Sequence, residues 1–122
     1  MNVFPVAHCM TPCPFAVSGE DSSADAAEFM TEHLLEDLPV VDGRDIIGVL
    51  HLADARARRD AHAHQIAERA FVVCSPETPL TDVLARMTER GVEACVIVDE
   101  RRIVGTFGLA ELQRRARPSA PL

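Results

Sequence analysis

The sequence presents the same pattern twice. Residues 18–58 align on residues 75–115 without a gap, and 15 of these 41 positions are identical. Equivalent residues of the two copies are separated by a constant number of positions, which we call the repeat offset. It places Ser18 on Ser75, and it places the run Met30 to Glu32 on Met87 to Glu89. A repeat of this length is one supersecondary unit that buries its apolar face against a copy of itself. We therefore expect one pseudo-symmetric domain with two equivalent clefts between the copies.

Length and charge narrow the classes of function. The 122 residues suffice for one compact domain with its own core. A net charge of −7 argues against nucleic acid and anionic membrane partners, since both require a basic face. No apolar run approaches the roughly 20 residues of a membrane span, and the N-terminus does not resemble a signal peptide. All 12 basic residues are arginine. Together these features favour a cytoplasmic protein, and the arginine bias suggests a GC-rich bacterial genome.

The four cysteines do not indicate a metal site. Cys74 and Cys95 lie in apolar runs typical of buried strands, where a thiol packs as a small hydrophobic group. Cys9 and Cys13 form a Cys-x3-Cys pattern without a second pair, whereas structural zinc sites use four ligands. Without an export signal, all four are expected to be reduced thiols.

Each copy is predicted to run strand, helix, strand, strand, helix. In the second copy, apolar residues at helical spacing from Leu80 to Met87 predict an amphipathic helix. Thr78 is its expected N-cap, Pro79 falls in its first turn, and Gly91 is its expected stop. Residues 109–116 are expected to form the closing helix.

The first copy repeats these signals. Ser22 with Asp25 resembles a capping box, and residues 42–45 read as a tight turn between two strands. His62 and His64 lie in the segment that joins the copies, and we interpret them as solvated linker residues. The predicted divisions are 1–60 for the first repeat with its N-terminal segment, 61–116 for the second repeat, and 117–122 for a tail.

Three segments of the first copy carry a resemblance to a known family. Residues 6–12 read Val-Ala-His-Cys-Met-Thr-Pro, residues 38–42 read Leu-Pro-Val-Val-Asp, and residues 47–54 read Ile-Gly-Val-Leu-His-Leu-Ala-Asp. These segments, with their second copies, resemble a pair of CBS (cystathionine-β-synthase) domains, also called a Bateman module. The resemblance covers residues 4–116. It implies an α/β (α+β) fold of tandem β-α-β-β-α repeats packed through their sheets, often assembled as a homodimer.

The resemblance also implies that an adenosyl compound binds in the inter-repeat clefts. The closing carboxylate of the family motif holds ribose hydroxyls; Asp54 matches it, and Glu111 keeps the charge with one more methylene. Three residues earlier the family has a phosphate-binding serine or threonine, where this chain has His51 and Gly108. The expected ligand-binding residues are Asp54, His51, Gly48, Phe71, Val72, Val92, Glu111, Gly108 and Phe15. Among them, Phe71, Val72 and Val92 are expected to form an apolar purine slot beside Asp54, while Phe15 is bulky enough to fill the Glu111 cleft.

The charge of the predicted clefts departs from the family pattern. Phosphate-binding members carry basic residues before the middle strand, where this chain has Glu36-Asp37 and Glu93-Ala94. A carboxylate beside a polyphosphate costs on the order of 1 kcal/mol per charge pair even in water, and more when partly buried. The expected ligand is therefore adenosine or the cationic S-adenosylmethionine rather than ATP.

Simpler interpretations stay open for the same residues. The paired glycines, Gly48 and Gly105, could serve only for close approach of the backbone. Asp54 could cap the helix that begins at Leu52, and Glu111 could be a surface charge on a helix.

No nucleophile, base or acid pair recurs in the two copies, so an enzyme is not predicted. The leading hypothesis is a regulatory module that senses an adenosyl ligand, needs no cofactor, and acts on an unidentified effector protein. The alternative is a CBS pair without a ligand that serves as a dimerisation or docking scaffold.

Overall fold

The computed structural model describes residues 4–109, and the closing helix expected over residues 109–116 lies outside this range beyond its first residue. After a short 3-10 helix at Val6–His8, the first repeat contains five elements. They are β2 (Val17–Ser18), α1 (Ser23–Glu32), β3 (Asp37–Asp42), β4 (Asp45–His51) and α2 (Leu52–Ala57). The second repeat contains β5 (Val72–Cys74), α4 (Leu80–Arg90), β6 (Ala94–Asp99) and β7 (Arg102–Gly108). β1 (Thr11–Pro12) precedes the first repeat, and α3 (Ala63–Ile66) lies between the repeats.

The strands form two sheets, one for each repeat. One sheet has the order β2-β3-β4 and the other β1-β7-β6-β5. The sheets pack face to face through buried Val49, Ala94 and Val96, with Ile46, Phe71, Val98 and Ile103 around them. The predicted α/β fold of tandem repeats packed through their sheets is confirmed.

Each repeat lends its leading segment to the sheet of the other repeat. Thr11 pairs with Thr106 in β7, and Glu68 pairs with Val49 in β4. The repeat offset relates these two pairs to each other, so the exchange is reciprocal. The chain therefore crosses between the two sheets twice, which ties the repeats together through backbone hydrogen bonds as well as through apolar packing.

Both long hairpins contain a bulge at the same place. In the first, Val41 opposes Ile46 but Val40 opposes Gly48, so that one residue of β4 is left without a partner. In the second, Val98 opposes Ile103 and Ile97 opposes Gly105. A one-residue bulge changes which side chains share a face of the sheet. It therefore decides which residues at the far ends of the hairpins meet.

Most of the predicted helix caps are confirmed, and one is wrong. The Ser22 side chain accepts a hydrogen bond from the Asp25 amide at 3.0 Å, as expected of an N-cap. Gly91 ends α4 in the left-handed conformation at φ 64°. Thr78 does not cap α4, because the N-cap residue is Pro79. The Thr78 hydroxyl instead accepts from the Ser75 amide at 3.1 Å, which closes the turn before the helix.

Leu34 is the counterpart of Gly91 in the first repeat, and it occupies the same left-handed conformation with φ 57°. Its side chain is 88% exposed, so apolar burial offsets little of the cost of the strained backbone conformation. We expect Leu34→Gly to raise the free energy of unfolding by about 0.5–1 kcal/mol. Urea denaturation followed by far-UV circular dichroism measures this change, since the chain has no Trp or Tyr. The reverse exchange, Gly91→Leu, should destabilise; an unchanged or lower stability for Leu34→Gly would contradict the strain argument.

Candidate ligand-binding site

A cleft of about 570 Å³ opens where the two repeats meet. It is lined by the ends of both hairpins and the start of α2, namely Glu36, Asp37, His51, Leu52, Ala53, Arg56, Glu93, Gly108 and Leu109. Six of these residues form three pairs related by the repeat offset: Glu36 with Glu93, His51 with Gly108, and Leu52 with Leu109. The cleft therefore lies where the pseudo-two-fold symmetry brings equivalent positions of the two repeats together. Its lining includes the positions at which this chain departs from the family's phosphate-binding pattern.

His51 is held on one wall of the cleft by two carboxylates. Its Nδ1 lies 2.5 Å from Oδ1 of Asp37, which is its direct partner across the β3–β4 hairpin. Its Nε2 lies 2.6 Å from Oε2 of Glu68, in the segment that leads to the second repeat. Both ring nitrogens donate when the imidazole is protonated, so this geometry fits an imidazolium ion. The ring thereby links the first sheet to the inter-repeat segment.

This environment raises the pKa of His51 to about 9 from the usual 6.5. The hydrogen bond to Asp37 is the largest cause, and burial, which disfavours the charged ring, opposes it. The hydrogen bond to Glu68 and the charges of both carboxylates add to the increase. His51 therefore carries a positive charge at neutral pH.

The opposite wall of the cleft has no side chain at the corresponding position. A Cβ atom at Gly108 would lie 3.2 Å from the backbone oxygen of Glu93 and 3.6 Å from Oδ2 of Asp37. Asp37 thus holds His51 with one oxygen and has the other close to the Gly108 position. The residue pair His51 and Gly108, equivalent in sequence, consequently makes the two halves of the cleft unequal.

Carboxylates outnumber cations around the cleft within residues 4–109. Glu36, Asp37 and Glu93 line it, and Glu68 reaches it through His51. The cations are His51 and Arg56, whose guanidinium also donates to the Thr31 hydroxyl at 3.2 Å. The cleft therefore suits a neutral or cationic group better than a polyphosphate.

Several of the expected ligand residues lie outside the lining of this cleft. Asp54 is exposed in the first turn of α2. Phe71 is partly buried in the contact between the sheets, whereas Val72 and Val92 are buried in the core of the second repeat. Of the predicted set, His51 and Gly108 are the residues that line the cleft, and the contribution of the others to ligand binding stays a prediction.

The remaining predicted residues have structural surroundings of their own. Phe15 packs edge-on against Phe29 at 5.0 Å between ring centroids and joins the core of the first repeat. A Cβ atom at Gly48 would lie 2.9 Å from both the Ala67 Cβ and the Glu68 oxygen, so close approach of the backbone accounts for this glycine. Glu111 lies outside the described residues.

Sequence reasoning did not find Glu68. It lies 17 residues after His51, near the start of the span predicted as the second repeat, where no functional residue was expected. The repeat offset gave an available signal, because it relates Glu68 to Thr11. Each of these residues lies in the segment before a repeat, and that segment pairs with the sheet of the other repeat. Glu68 contacts His51 on that sheet.

The cysteines and the helices give no sign of a metal or a membrane-spanning segment within residues 4–109. These residues contain no group of three or more His, Cys, Asp and Glu side chains that could hold a metal ion. Cys13, Cys74 and Cys95 are buried, and Cys9 is partly buried. No helix in the same part of the chain has the length and apolar character needed to cross a bilayer.

Two packed β-α-β-β repeats with a shared cleft define a tandem-repeat module. The family model for the CBS domain matches residues 6–60 and again residues 63–117, and the chain therefore belongs to the CBS domain family. As a CBS pair, it is a regulatory module.

Solved structures with the same fold include an uncharacterized conserved protein from Pyrococcus horikoshii, with a TM-score of 0.72 and 26% identity over 100% of this chain and 99% of that one. The CBS domain pair of protein MJ0100, in complex with methylthioadenosine and S-adenosyl-L-methionine, matches with a TM-score of 0.72 and 22% identity over 93% and 96% of the two chains. Hypoxic Response Protein I with two coordinated zinc ions matches with a TM-score of 0.64 and 21% identity over 92% and 98%.

Proposed function

We propose that this CBS pair is a non-catalytic sensor of an adenosyl ligand that lacks a polyphosphate chain. The observation that carries the proposal is the acid-lined cleft between the repeats. S-adenosylmethionine has a sulfonium, an ammonium and a carboxylate group, so its net charge is positive and complements the acidic lining of the cleft. Binding between two repeats can alter their relative arrangement if the ligand prefers one arrangement over another. An effector protein that binds one arrangement in preference to the other would respond to that change.

The positions of the charges support this choice of ligand. Glu36 and Glu93 lie at equivalent positions of the two repeats, so the unfavourable charge faces a polyphosphate from both sides. His51 does not compensate, because two carboxylates already hold its ring. The MJ0100 pair, which has the same fold, was solved with S-adenosylmethionine and methylthioadenosine, and this makes an adenosyl ligand plausible for the present chain.

We expect S-adenosylmethionine to bind at least about tenfold more tightly than ATP at low salt and without magnesium, since several charge pairs of about 1 kcal/mol each reverse sign. Isothermal titration calorimetry with S-adenosylmethionine, S-adenosylhomocysteine, adenosine, AMP and ATP measures the contrast. S-adenosylhomocysteine lacks the sulfonium charge and so isolates its contribution. High salt should reduce the contrast, because ions screen exposed charges over about 8–10 Å.

A matched pair of double variants separates the cleft from the overall charge of the molecule. The double variant Glu36→Gln with Glu93→Gln should reduce the preference for S-adenosylmethionine over ATP. Glu20→Gln with Glu77→Gln removes the same charge at exposed, equivalent positions outside the lining of the cleft and should leave this preference unchanged. Tighter binding of ATP than of both adenosine and S-adenosylmethionine would overturn the proposed ligand class.

The scaffold function becomes the better explanation if no compound of this panel binds. A specific feature favours self-association: a groove of about 240 Å³ between α1 and α2 is lined by Glu28 and Glu32 together with Arg56 and Arg59. Two copies related by a two-fold axis could pair the acids of one with the arginines of the other. A light-scattering mass near one chain at micromolar concentration would contradict the homodimer.

A further inference from the structure

The two crossings between the sheets share their backbone positions but differ in their side chains. Val49 and Glu68 exchange two backbone hydrogen bonds of 2.9 and 2.8 Å, and we call this contact the Glu68 crossing. Thr11 pairs with Thr106 in β7, and we call this contact the Thr11 crossing. The repeat offset places Val49 on Thr106 and Thr11 on Glu68. Any difference in strength between the crossings therefore depends on their local contacts.

His51 adds a side-chain link to the Glu68 crossing. Its Nε2 lies 2.6 Å from Oε2 of Glu68, while its Nδ1 lies 2.5 Å from Oδ1 of Asp37. The ring therefore connects the segment before β5 to both strands of the β3–β4 hairpin, because His51 ends β4 and Asp37 begins β3. The repeat offset places Gly108 at the position of His51. The Thr11 crossing consequently has no counterpart of this ring.

The backbone holds the Glu68 crossing more weakly than the Thr11 crossing. Val49 and Glu68 form an isolated bridge. In contrast, β1 pairs with β7 over two residues, and the Cys13 amide also donates to the Val104 oxygen at 3.0 Å. Arg69, which follows Glu68, is exposed. Separation of these two residues from β4 would therefore break few hydrogen bonds and expose little apolar surface, as is typical of local opening.

The link to Glu68 depends on the charge of the imidazole ring. The protonated ring has an N–H on each nitrogen and donates to both carboxylates, whereas the neutral ring has one N–H and presents a lone pair to the other carboxylate. Three further charged side chains line the cleft, namely Glu36, Glu93 and Arg56. The two glutamates have the same sign as the carboxylates that bind the ring, and Arg56 donates to the Thr31 hydroxyl. The imidazolium is therefore the cation that holds Asp37 and Glu68 together.

We propose that His51 is a proton-dependent latch on the Glu68 crossing. The protonated ring holds the segment before β5 on β4, and loss of the proton allows this segment to open locally while the Thr11 crossing stays closed. The latch acts on the connection between the repeats and requires no ligand, so it does not depend on the proposed function.

The latch is closed at neutral pH and opens at alkaline pH. The pKa of His51 is about 9 with the crossing closed, mainly because of the hydrogen bond to Asp37. Opening removes Glu68 from the ring, and Glu68 contributes a hydrogen bond and a charge to the raised pKa. Asp37 stays in the same hairpin and retains part of the increase. The closed state therefore binds more protons than the open state as the pH approaches 9, so opening becomes easier there.

Native-state hydrogen exchange of the full chain, followed by nuclear magnetic resonance, tests the latch. At pH 7 the amides of Val49 and Glu68 should be less protected than the amide of Val96 in β6, which lies between β5 and β7. Their protection should change little in low urea, since local opening exposes little surface. His51→Asn, which cannot carry a charge, should lower their protection about fivefold or more. The Cys13 amide at the Thr11 crossing should lose no more protection than the Val96 amide does.

Two further variants and a pH series guard against a folding defect. Glu68→Gln removes the charge of the partner and should lower the protection of the Val49 amide in the same direction. Arg69→Gln removes a charge from the exposed neighbour and should leave this protection unchanged. After correction for the intrinsic exchange rate, the protection of the Val49 amide should fall about fivefold between pH 7 and pH 9.5 in the unchanged protein and stay level in His51→Asn.

Three results would overturn the latch. One is equal protection of the Glu68 crossing in the unchanged protein and in His51→Asn. Another is protection that falls with urea as steeply as that of Val96, since the crossing would then open only with the whole domain. The third is a larger loss at the Cys13 amide than at the Glu68 crossing. Because none of these measurements includes a ligand, failure of the latch and failure of the proposed adenosyl function are separate results.

Discussion

Replacement of Gly48 by alanine is expected to lower the free energy of unfolding by about 2–3 kcal/mol, and replacement by valine to prevent folding. The segment that leads to the second repeat crosses β4 at this point, with hydrogen bonds of 2.9 and 2.8 Å between the backbones of Val49 and Glu68. The added Cβ would lie 2.9 Å from the Glu68 oxygen. Because this neighbour is backbone, the clash can be relieved only by moving the segment and weakening both hydrogen bonds.

The second repeat provides an internal comparison. A Cβ at Gly105 would lie 2.9 Å from the backbone oxygen of Thr11 and 2.6 Å from Sδ of Met10. Gly105→Ala should therefore destabilise by a similar amount, although the flexible methionine can move aside. Gly43→Asn is the control: a Cβ atom there would meet nothing within 4 Å, and asparagine tolerates the φ of 62° at this position. Urea denaturation followed by circular dichroism compares the three variants.

If Gly48→Ala lowers the free energy of unfolding by less than about 0.5 kcal/mol, as little as the Gly43 control does, the result would contradict the close approach of the Glu68 backbone to Gly48. It would mean that the glycine has another purpose, such as room for a ligand. The expected result instead assigns the paired glycines to the exchange of segments between the sheets.

The stability of the protein should fall as the pH rises from about 6 to about 10, because His51 titrates in this range. Its pKa is about 9 in the folded protein, against the usual 6.5 when unfolded. The folded state therefore binds more protons between these values. The stabilisation is fully present below pH 6.5, declines as the pH rises toward 9, and is absent above it. Because the ring is partly exposed and solvent screens its partners, we expect a loss of about 1–2 kcal/mol, less than the full shift implies.

The comparison variant is His51→Asn, which cannot carry a charge. Urea denaturation of both proteins across this pH range isolates the histidine, since the cysteines and arginines are common to both. The difference in stability should be largest near pH 6 and should vanish near pH 10. Parallel profiles of the two proteins would show that the imidazolium is not held by Asp37 and Glu68 as the structure has it.

The sequence alone was sufficient for the fold. The repeat offset predicted two copies of one unit, and the apolar spacing from Leu80 to Met87 predicted a helix that the structure contains. Ser22 and Gly91 marked helix ends correctly, because a cap is a local interaction between residues three or four positions apart. The tight turn at residues 42–45 likewise lies between β3 and β4.

The contents of the cleft were decided by tertiary structure. Extended from the turn at residues 42–45 without interruption, the hairpin would place Asp37 opposite Leu50; the bulge places it opposite His51 instead. A bulge depends on how the strand packs against its surroundings, and the sequence carries no simple signal for it. Glu68 reaches the ring only because the repeats exchange segments. The acidic residues at the cleft were visible in the sequence, whereas the contacts of His51 with Asp37 and Glu68 join segments that are far apart in the chain.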